Sequence, residues 1–199
     1  MLPITKTINV DDPELTMDIV CFDFPSQLLA LSQDKMKMQQ ENLVIDIDNV
    51  TRKHQNPSGL SQESLDGFAC QKACDNVKAN HHGNDPLLFV PICAWGDATH
   101  IDQQSEFKLE PWSFSPLTFT EKARRNHEFW GTLGCINNLR FSMAQKHLHR
   151  SGTADRIYHQ QIQTILESFK SSQMQLNGVN IPIGQNCLSL LTLFVHFCT

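Results

Sequence analysis

The chain has 199 residues, of which 40% are hydrophobic and 19% are charged, and its formal net charge is −5. Nine glycines and nine prolines are ordinary numbers, so the composition excludes collagen-like and low-complexity chains. The sequence contains no run of about 18 apolar residues, which argues against a transmembrane helix. The N-terminus turns acidic at Asp11 and Asp12, unlike a secretory signal, so we expect the seven cysteines to be reduced thiols of an intracellular protein.

The net charge hides an uneven distribution along the chain. Residues 1–66 contain five basic and eleven acidic side chains, whereas residues 122–160 contain seven basic and two acidic ones. Such a basic segment can bind nucleic-acid phosphates in a salt-sensitive, sequence-independent way, and a solvated helical surface is an equally good interpretation. The candidate DNA contacts in this segment are Lys122, Arg124, Arg125, Lys146 and Arg150.

The first half of the chain is predicted to be mostly helical and partly disordered. Residues 25–40 fit a helix, because proline stands in the first turn and apolar residues share one side. Residues 51–66 are polar and rich in turn formers, as in a linker, and residues 68–80 fit a short helix. We therefore predict a helical, partly disordered acidic arm at residues 1–50 and a linker with a short helix at residues 51–85.

The second half has the stronger signals. An apolar run predicts a strand at residues 92–97, and alternating polarity predicts paired antiparallel strands at residues 107–119. Residues 130–136 fit a third short strand. Apolar side chains at three- and four-residue spacings predict a helix over residues 154–175. The order of strand, two antiparallel strands and helix indicates an α/β fold.

Asp97 stands at the end of the first of these strands. A carboxylate in that position can hold a divalent cation in fixed geometry, since Mg²⁺ takes one or two carboxylates together with waters and phosphates. By itself the signal is weak, because an aspartate after a strand is more often a turn former or a helix cap.

Several short motifs follow one another around Asp97. They are Pro91-Ile92, Asp97-Ala98-Thr99-His100, Leu109-Glu110-Pro111, Ser113-Phe114, Phe119 with Arg124 and Arg125, and Trp130-Gly131-Thr132-Leu133-Gly134. In this order and spacing they resemble the first catalytic block of Plavaka-type transposases, which are eukaryotic DNA-transposon proteins with an RNase H-like, DDE-type nuclease core. The resemblance covers roughly residues 20–178.

This resemblance implies a partial RNase H-like fold, with a three-stranded antiparallel unit and a helix in residues 86–178. It also implies DNA cleavage and strand transfer by the intact relative, with two Mg²⁺ ions. Asp97 matches the first carboxylate of the DDE triad, so the role it inherits is catalytic metal binding. His100 and Asp102 lie in the same neighbourhood and receive no role.

The second aspartate of the family is expected on a strand near residues 180–183. Residues 184–199 contain no aspartate or glutamate, and we expect residues 179–199 to be a non-matching apolar tail that arose by a frameshift or a retained intron. Glu106, Glu110 and Asp155 could substitute in principle, but their spacing does not indicate it, and Glu110 beside Pro111 is better interpreted as structural. One aspartate cannot hold two ions about 4 Å apart, so we expect this chain alone not to cleave DNA.

Three functional interpretations stay open. The chain is a remnant of a cut-and-paste transposase, a non-catalytic DNA- or protein-binding domain derived from one, or a gene-model product without function. The first two imply DNA as a partner and a nuclear location, and none implies a membrane. The third predicts self-association through exposed apolar surface, because an incomplete sheet leaves an open edge.

Overall fold

The structure is a computed structural model, and it describes residues 2–9, 16–46, 51–52, 72, 75, 79, 87–97, 99–100, 107–139, 153–174, 179–183, 186–191 and 195–197. The strands of these residues are β1 (Ile4–Asn9), β2 (Thr16–Cys21), β3 (Ile45–Asp46), β4 (Thr51–Arg52), β5 (Leu87–Phe89), β6 (Ile92–Gly96), β7 (Thr99–His100), β8 (Phe107–Pro116), β9 (Gly131–Leu139), β10 (Val179–Ile183), β11 (Asn186–Leu191) and β12 (Val195–Phe197). The α-helices are α1 (Phe24–Gln33), α2 (Glu121–Arg124), α3 (Thr153–Ile165) and α4 (Glu167–Met174). The predicted mixture of helices and strands is confirmed.

The main sheet has the strand order β1-β2-β9-β8-β6-β12, and the short strand β7 pairs with β8. The first five strands are antiparallel to their neighbours, and β12 runs parallel to β6. The predicted strands at residues 92–97 and 130–136 correspond to β6 and β9. Residues 107–116 form one long strand, β8, instead of the predicted pair of antiparallel strands. β8 pairs with β6 along one edge and with β9 along the other.

The N-terminal residues belong to the same sheet and the same core, which differs from the expected arm. β2 alternates exposed and buried side chains along its whole length, and its Val20 and Cys21 pair with Cys135 and Gly134 of β9. The ring of Phe24 in α1 lies 4.7 Å from that of Phe114 in β8. The period-two pattern of β2 therefore buries one face of the strand against the helices, as half-buried strands require.

Helices α1, α3 and α4 supply the apolar side chains that cover one face of this sheet. The core they enclose contains Ile19, Phe24, Leu28, Leu31, Val90, Ile92, Ala94, Trp112, Phe114, Leu133, Ile136, Ile165, Leu166 and Phe169. The ring of Phe169 meets that of Phe24 edge-on at 4.8 Å. Residues 154–175, which were predicted as one helix, form α3 and α4 with a break at Leu166.

A second, smaller core lies beside α2. It consists of Leu43, Phe119, Ala123 and Phe129, and the two phenylalanine rings pack edge-on at 5.1 Å. Thr120 caps α2 by accepting a hydrogen bond from the backbone N–H of Ala123. These contacts hold the turn between β8 and β9, and with it the basic residues of α2, in a fixed position.

The C-terminal strands differ in part from the expectation. Strand β10 occupies the predicted position near residues 180–183, but it pairs with β11 in a separate sheet that also contains β5. The strand that lies beside β6 in the main sheet is β12, which comes from the predicted tail. In the part of the chain that the structure describes, no α-helix has the length and hydrophobicity that a membrane span requires.

Candidate metal site at the end of strand β6

Asp97 follows the last residue of β6, and its side chain is exposed. β6 is an interior strand between β8 and β12, but β12 reaches only as far as the pairing of Phe197 with Ala94. Trp95 in the same strand is 46% exposed. Asp97 therefore follows the end of β6, as the sequence predicted, and lies between β6 and β7, which pair with successive parts of β8.

The side chains that the structure describes do not include a two-ion site at Asp97. Among the described residues, no group of three or more His, Cys, Asp and Glu side chains is close enough to hold a metal ion. Asp155 lies in the first turn of α3 and is exposed, and His100 lies in β7. Asp102 and Glu106 lie outside the described residues. The described side chains thus do not fit the pair of magnesium ions that the family resemblance implies.

Glu110 occupies a different environment from Asp97. It is 8% exposed, and its Oε1 atom accepts hydrogen bonds from Trp112 Nε1 at 2.9 Å and from the Tyr158 hydroxyl at 2.7 Å. Both donors are neutral, and Tyr158 belongs to α3, so the carboxylate connects the sheet to a helix. This agrees with the interpretation of Glu110 as a structural residue.

The partner of Glu110 gives a direct spectroscopic test of this contact. Burial, and then the hydrogen bond to Glu110, raise the pKa of Tyr158 from 10.0 to about 12. Because the pKa of Tyr158 is higher in the folded than in the unfolded protein, the protonated tyrosine stabilises the fold. This contribution is complete below pH 10 and is lost as the pH rises towards 12. Because Tyr158 is the only tyrosine of the chain, tyrosinate absorbance reports this group alone. We expect a transition near pH 12 in the native protein and near pH 10 in denaturant; equal midpoints would contradict the contact.

The predicted basic contacts that the structure describes, Lys122, Arg124 and Arg125, lie at the opposite end of β6 from Asp97. The backbone N–H of Leu117, just after β8, donates to the carbonyl of Pro91, just before β6, at 2.8 Å. α2 follows this turn, so Lys122 and its neighbours are displaced from Asp97 by about the length of β6, roughly 17 Å at ~3.3 Å per residue. The structure therefore does not bring the two candidate sites together.

The basic side chains of α2 and of Arg125, which follows it, also differ from one another. The Arg124 guanidinium donates to the carbonyls of Leu117 and Phe119, which makes it part of the turn. Arg125 forms an exposed ion pair with Glu121 at 2.8 Å, and Lys122 is exposed. Lys146 and Arg150, like Asp102, lie outside the described residues. Of the predicted DNA contacts that are described, Lys122 and Arg125 are therefore the ones available at the surface.

Two surface depressions lie beside β1, at the far edge of the main sheet from β6. Their volumes are about 330 Å³ and 410 Å³, and both are lined mainly by polar side chains, which include Glu167 of α4; the larger one is also lined by residues of α3. Neither depression is lined by Asp97 or by the basic residues of α2. They therefore do not extend the candidate site.

Sequence reasoning did not predict the contact of Glu110 with Tyr158. The two residues are separated by 48 positions, and neither periodicity nor spacing predicts a pairing between a strand and a distant helix. The usable signal was the acid in Leu109-Glu110-Pro111, because a carboxylate on the buried side of a strand needs hydrogen-bond donors. Comparisons with families of proteins, with characterised proteins and with solved structures find no match for this chain.

Proposed function

We propose that this chain derives from the RNase H-like core of a DDE-type transposase, keeps its first metal-binding aspartate and does not cleave DNA by itself. The observation that carries the proposal is the position of Asp97. It lies at the end of an interior strand of a sheet in which β9, β8 and β6 are antiparallel neighbours. The helix α3 follows these strands in the chain and packs on the same sheet, as the motif order implies for an RNase H-like core.

The lack of cleavage follows from the carboxylates that this chain can offer. In-line displacement at a phosphodiester uses two ions about 4 Å apart, bridged by a carboxylate and held by further acids. The last acidic residue of the chain is Glu167, so β10, β11 and β12 carry none. Glu110, the nearest acid along β8, uses its Oε1 atom to accept hydrogen bonds from Trp112 and Tyr158.

The experiment is a nicking assay on supercoiled plasmid with Mg²⁺ or Mn²⁺, comparing the purified chain with Asp97→Asn. We expect both proteins to leave the plasmid intact, at the level of a protein-free control. Metal-dependent nicking that disappears in Asp97→Asn would show that the chain is a complete nuclease and would overturn the proposal. Nicking that persists in Asp97→Asn would identify a contaminating nuclease and require a cleaner preparation before the comparison is scored.

DNA binding without cleavage is a second candidate function. It is favoured by the exposed Lys122 in α2 and the exposed Arg125 just after it, within a segment of seven basic and two acidic residues. If α2 contacts phosphates, Lys122→Gln and Arg125→Gln should each reduce the salt slope of a mobility-shift titration by about 1. Arg124→Gln is the control that should lower stability instead, because the carbonyls of Leu117 and Phe119 would lose a donor. A salt-independent shift, or none, would count against this function.

A further inference from the structure

The buried carboxylate of Glu110 is the centre of a small cluster that we call the Glu110 clamp, formed by Glu110, Trp112 and Tyr158. Both donors bind the same oxygen, Oε1, at 2.9 Å and 2.7 Å. Glu110 and Trp112 stand two positions apart in β8, so they share the face of the strand that is covered by α3. The clamp therefore fixes the indole ring of Trp112 in one orientation.

The Trp112 ring lies directly against the backbone of Gly96. A Cβ atom added to Gly96 would lie 2.7 Å from Cε2 and 2.9 Å from Nε1 of Trp112. The Nε1 atom is the same one that donates to Glu110, and Gly96 pairs with Trp112 in the sheet. A residue with a side chain cannot occupy position 96 unless the indole moves. The Trp112 ring therefore packs directly on the backbone of Gly96.

Gly96 is the last residue of β6, and the next residue is Asp97. A contact that fixes the backbone of Gly96 consequently limits the directions in which the chain can present Asp97. Tyr158 extends the same constraint to α3, because its hydroxyl orients the carboxylate that orients the indole. Contacts among Tyr158, Glu110, Trp112 and Gly96 therefore connect α3 to the residue before Asp97.

We infer that Glu110 is a positioning residue, which acts through Trp112 and Gly96 to hold Asp97 at the end of β6 and couples that position to α3. The inference about position stands on the contacts of the clamp. Its importance for metal binding rests on the proposed function of Asp97. It gives a specific physical role to the acid of the Leu109-Glu110-Pro111 motif, which the sequence indicated only as a structural residue.

The test compares Glu110→Gln, Glu110→Leu and Phe169→Leu by two-dimensional NMR of the isotope-labelled full chain. The amide oxygen of Glu110→Gln can accept both hydrogen bonds, so the Trp112 indole N–H and the Asp97 amide should stay close to their wild-type resonances. Glu110→Leu removes the acceptor, and both resonances should move while hydrogen exchange at residues 95–97 becomes about tenfold faster. Phe169 packs edge-on against Phe24 in the same core, so Phe169→Leu should lower stability without moving the Asp97 amide.

Two results would overturn the inference. One is an Asp97 amide that is unmoved in Glu110→Leu; the other is an equal displacement in Phe169→Leu, which would indicate general destabilisation. Should Glu110→Leu fail to fold, Tyr158→Phe decides, because it removes one donor and should move the Asp97 amide in the same direction by less. These readouts need no nuclease activity, so a positive nicking assay would overturn the proposed function and leave the positioning role standing.

Discussion

Replacing Phe114 by alanine should lower the free energy of unfolding by about 3–5 kcal/mol, the usual cost of deleting a buried aromatic ring. Phe114 is fully buried in β8, and its ring lies 4.7 Å from that of Phe24 in α1. On its other side the ring packs against Gly131: a Cβ atom added to Gly131 would lie only 2.5 Å from Cε1 of Phe114. The cavity would therefore open between two strands and a helix, where rigid backbone prevents collapse. Urea unfolding followed by circular dichroism measures the effect.

Trp95→Ala is the matched control, because it removes a larger aromatic side chain from the neighbouring strand. Trp95 is 46% exposed, so its removal should change the stability by about 1 kcal/mol or less. Equal losses for the two variants would mean that Phe114 is not at the centre of the core, and the described packing of α1 on β8 would be wrong.

Gly134→Ala should destabilise the protein by about 2–3 kcal/mol, which is large for one added methyl group. The new Cβ atom would lie 2.6 Å from the carbonyl oxygen of Val20 and 2.9 Å from Cγ1 of Ile165. Side chains can rotate away from such a clash, but the carbonyl of Val20 belongs to the backbone of β2. The strand pair β2-β9 must therefore separate, and we expect amide protection in β1 and β2 to fall first in hydrogen exchange.

Thr132→Ala supplies the comparison for Gly134→Ala, since Thr132 is a half-buried residue of the same strand. Its effect should stay within the ~1 kcal/mol range of strand preferences. If Gly134→Ala leaves β1 and β2 as protected as in the wild type, the N-terminal strands do not pair with β9 and the first 50 residues are the separate arm that the sequence suggested.

The strands around Asp97 could be predicted from the sequence because their apolar residues are local and continuous. The run from Ile92 to Gly96 and the motif beginning at Trp130 each predict a buried strand without knowledge of its neighbours. β1 and β2 have no continuous apolar run: exposed and buried positions alternate in β2, β1 is mostly exposed, and each strand is only six residues long. β1 joins the sheet through β2, whose Val20 and Cys21 pair with Cys135 and Gly134, more than 100 residues away, and no local pattern encodes that distant partner.

The candidate site was predictable to the same limited degree. Asp97 was predicted as a metal ligand from its position at the end of a strand. In the structure it follows Gly96, the last residue of β6. The separation of Asp97 from Lys122 follows from the antiparallel pairing of β6 with β8, which returns the chain to the start of β6 before α2 begins. The clamp around Glu110 depends on where α3 lies over the sheet, a tertiary fact that spacing in the sequence does not contain.

The central claim is that Asp97 is a lone metal-binding carboxylate, and titration of the labelled chain with Mn²⁺ under NMR observation tests it most directly. Mn²⁺ broadens the resonances of residues close to the bound ion. The account predicts broadening around residues 95–99 that saturates with one ion and disappears in Asp97→Asn. Simultaneous broadening at Asp97 and at a second acid such as Glu106 or Asp155, with two ions bound and both lost in Asp97→Asn, would contradict it.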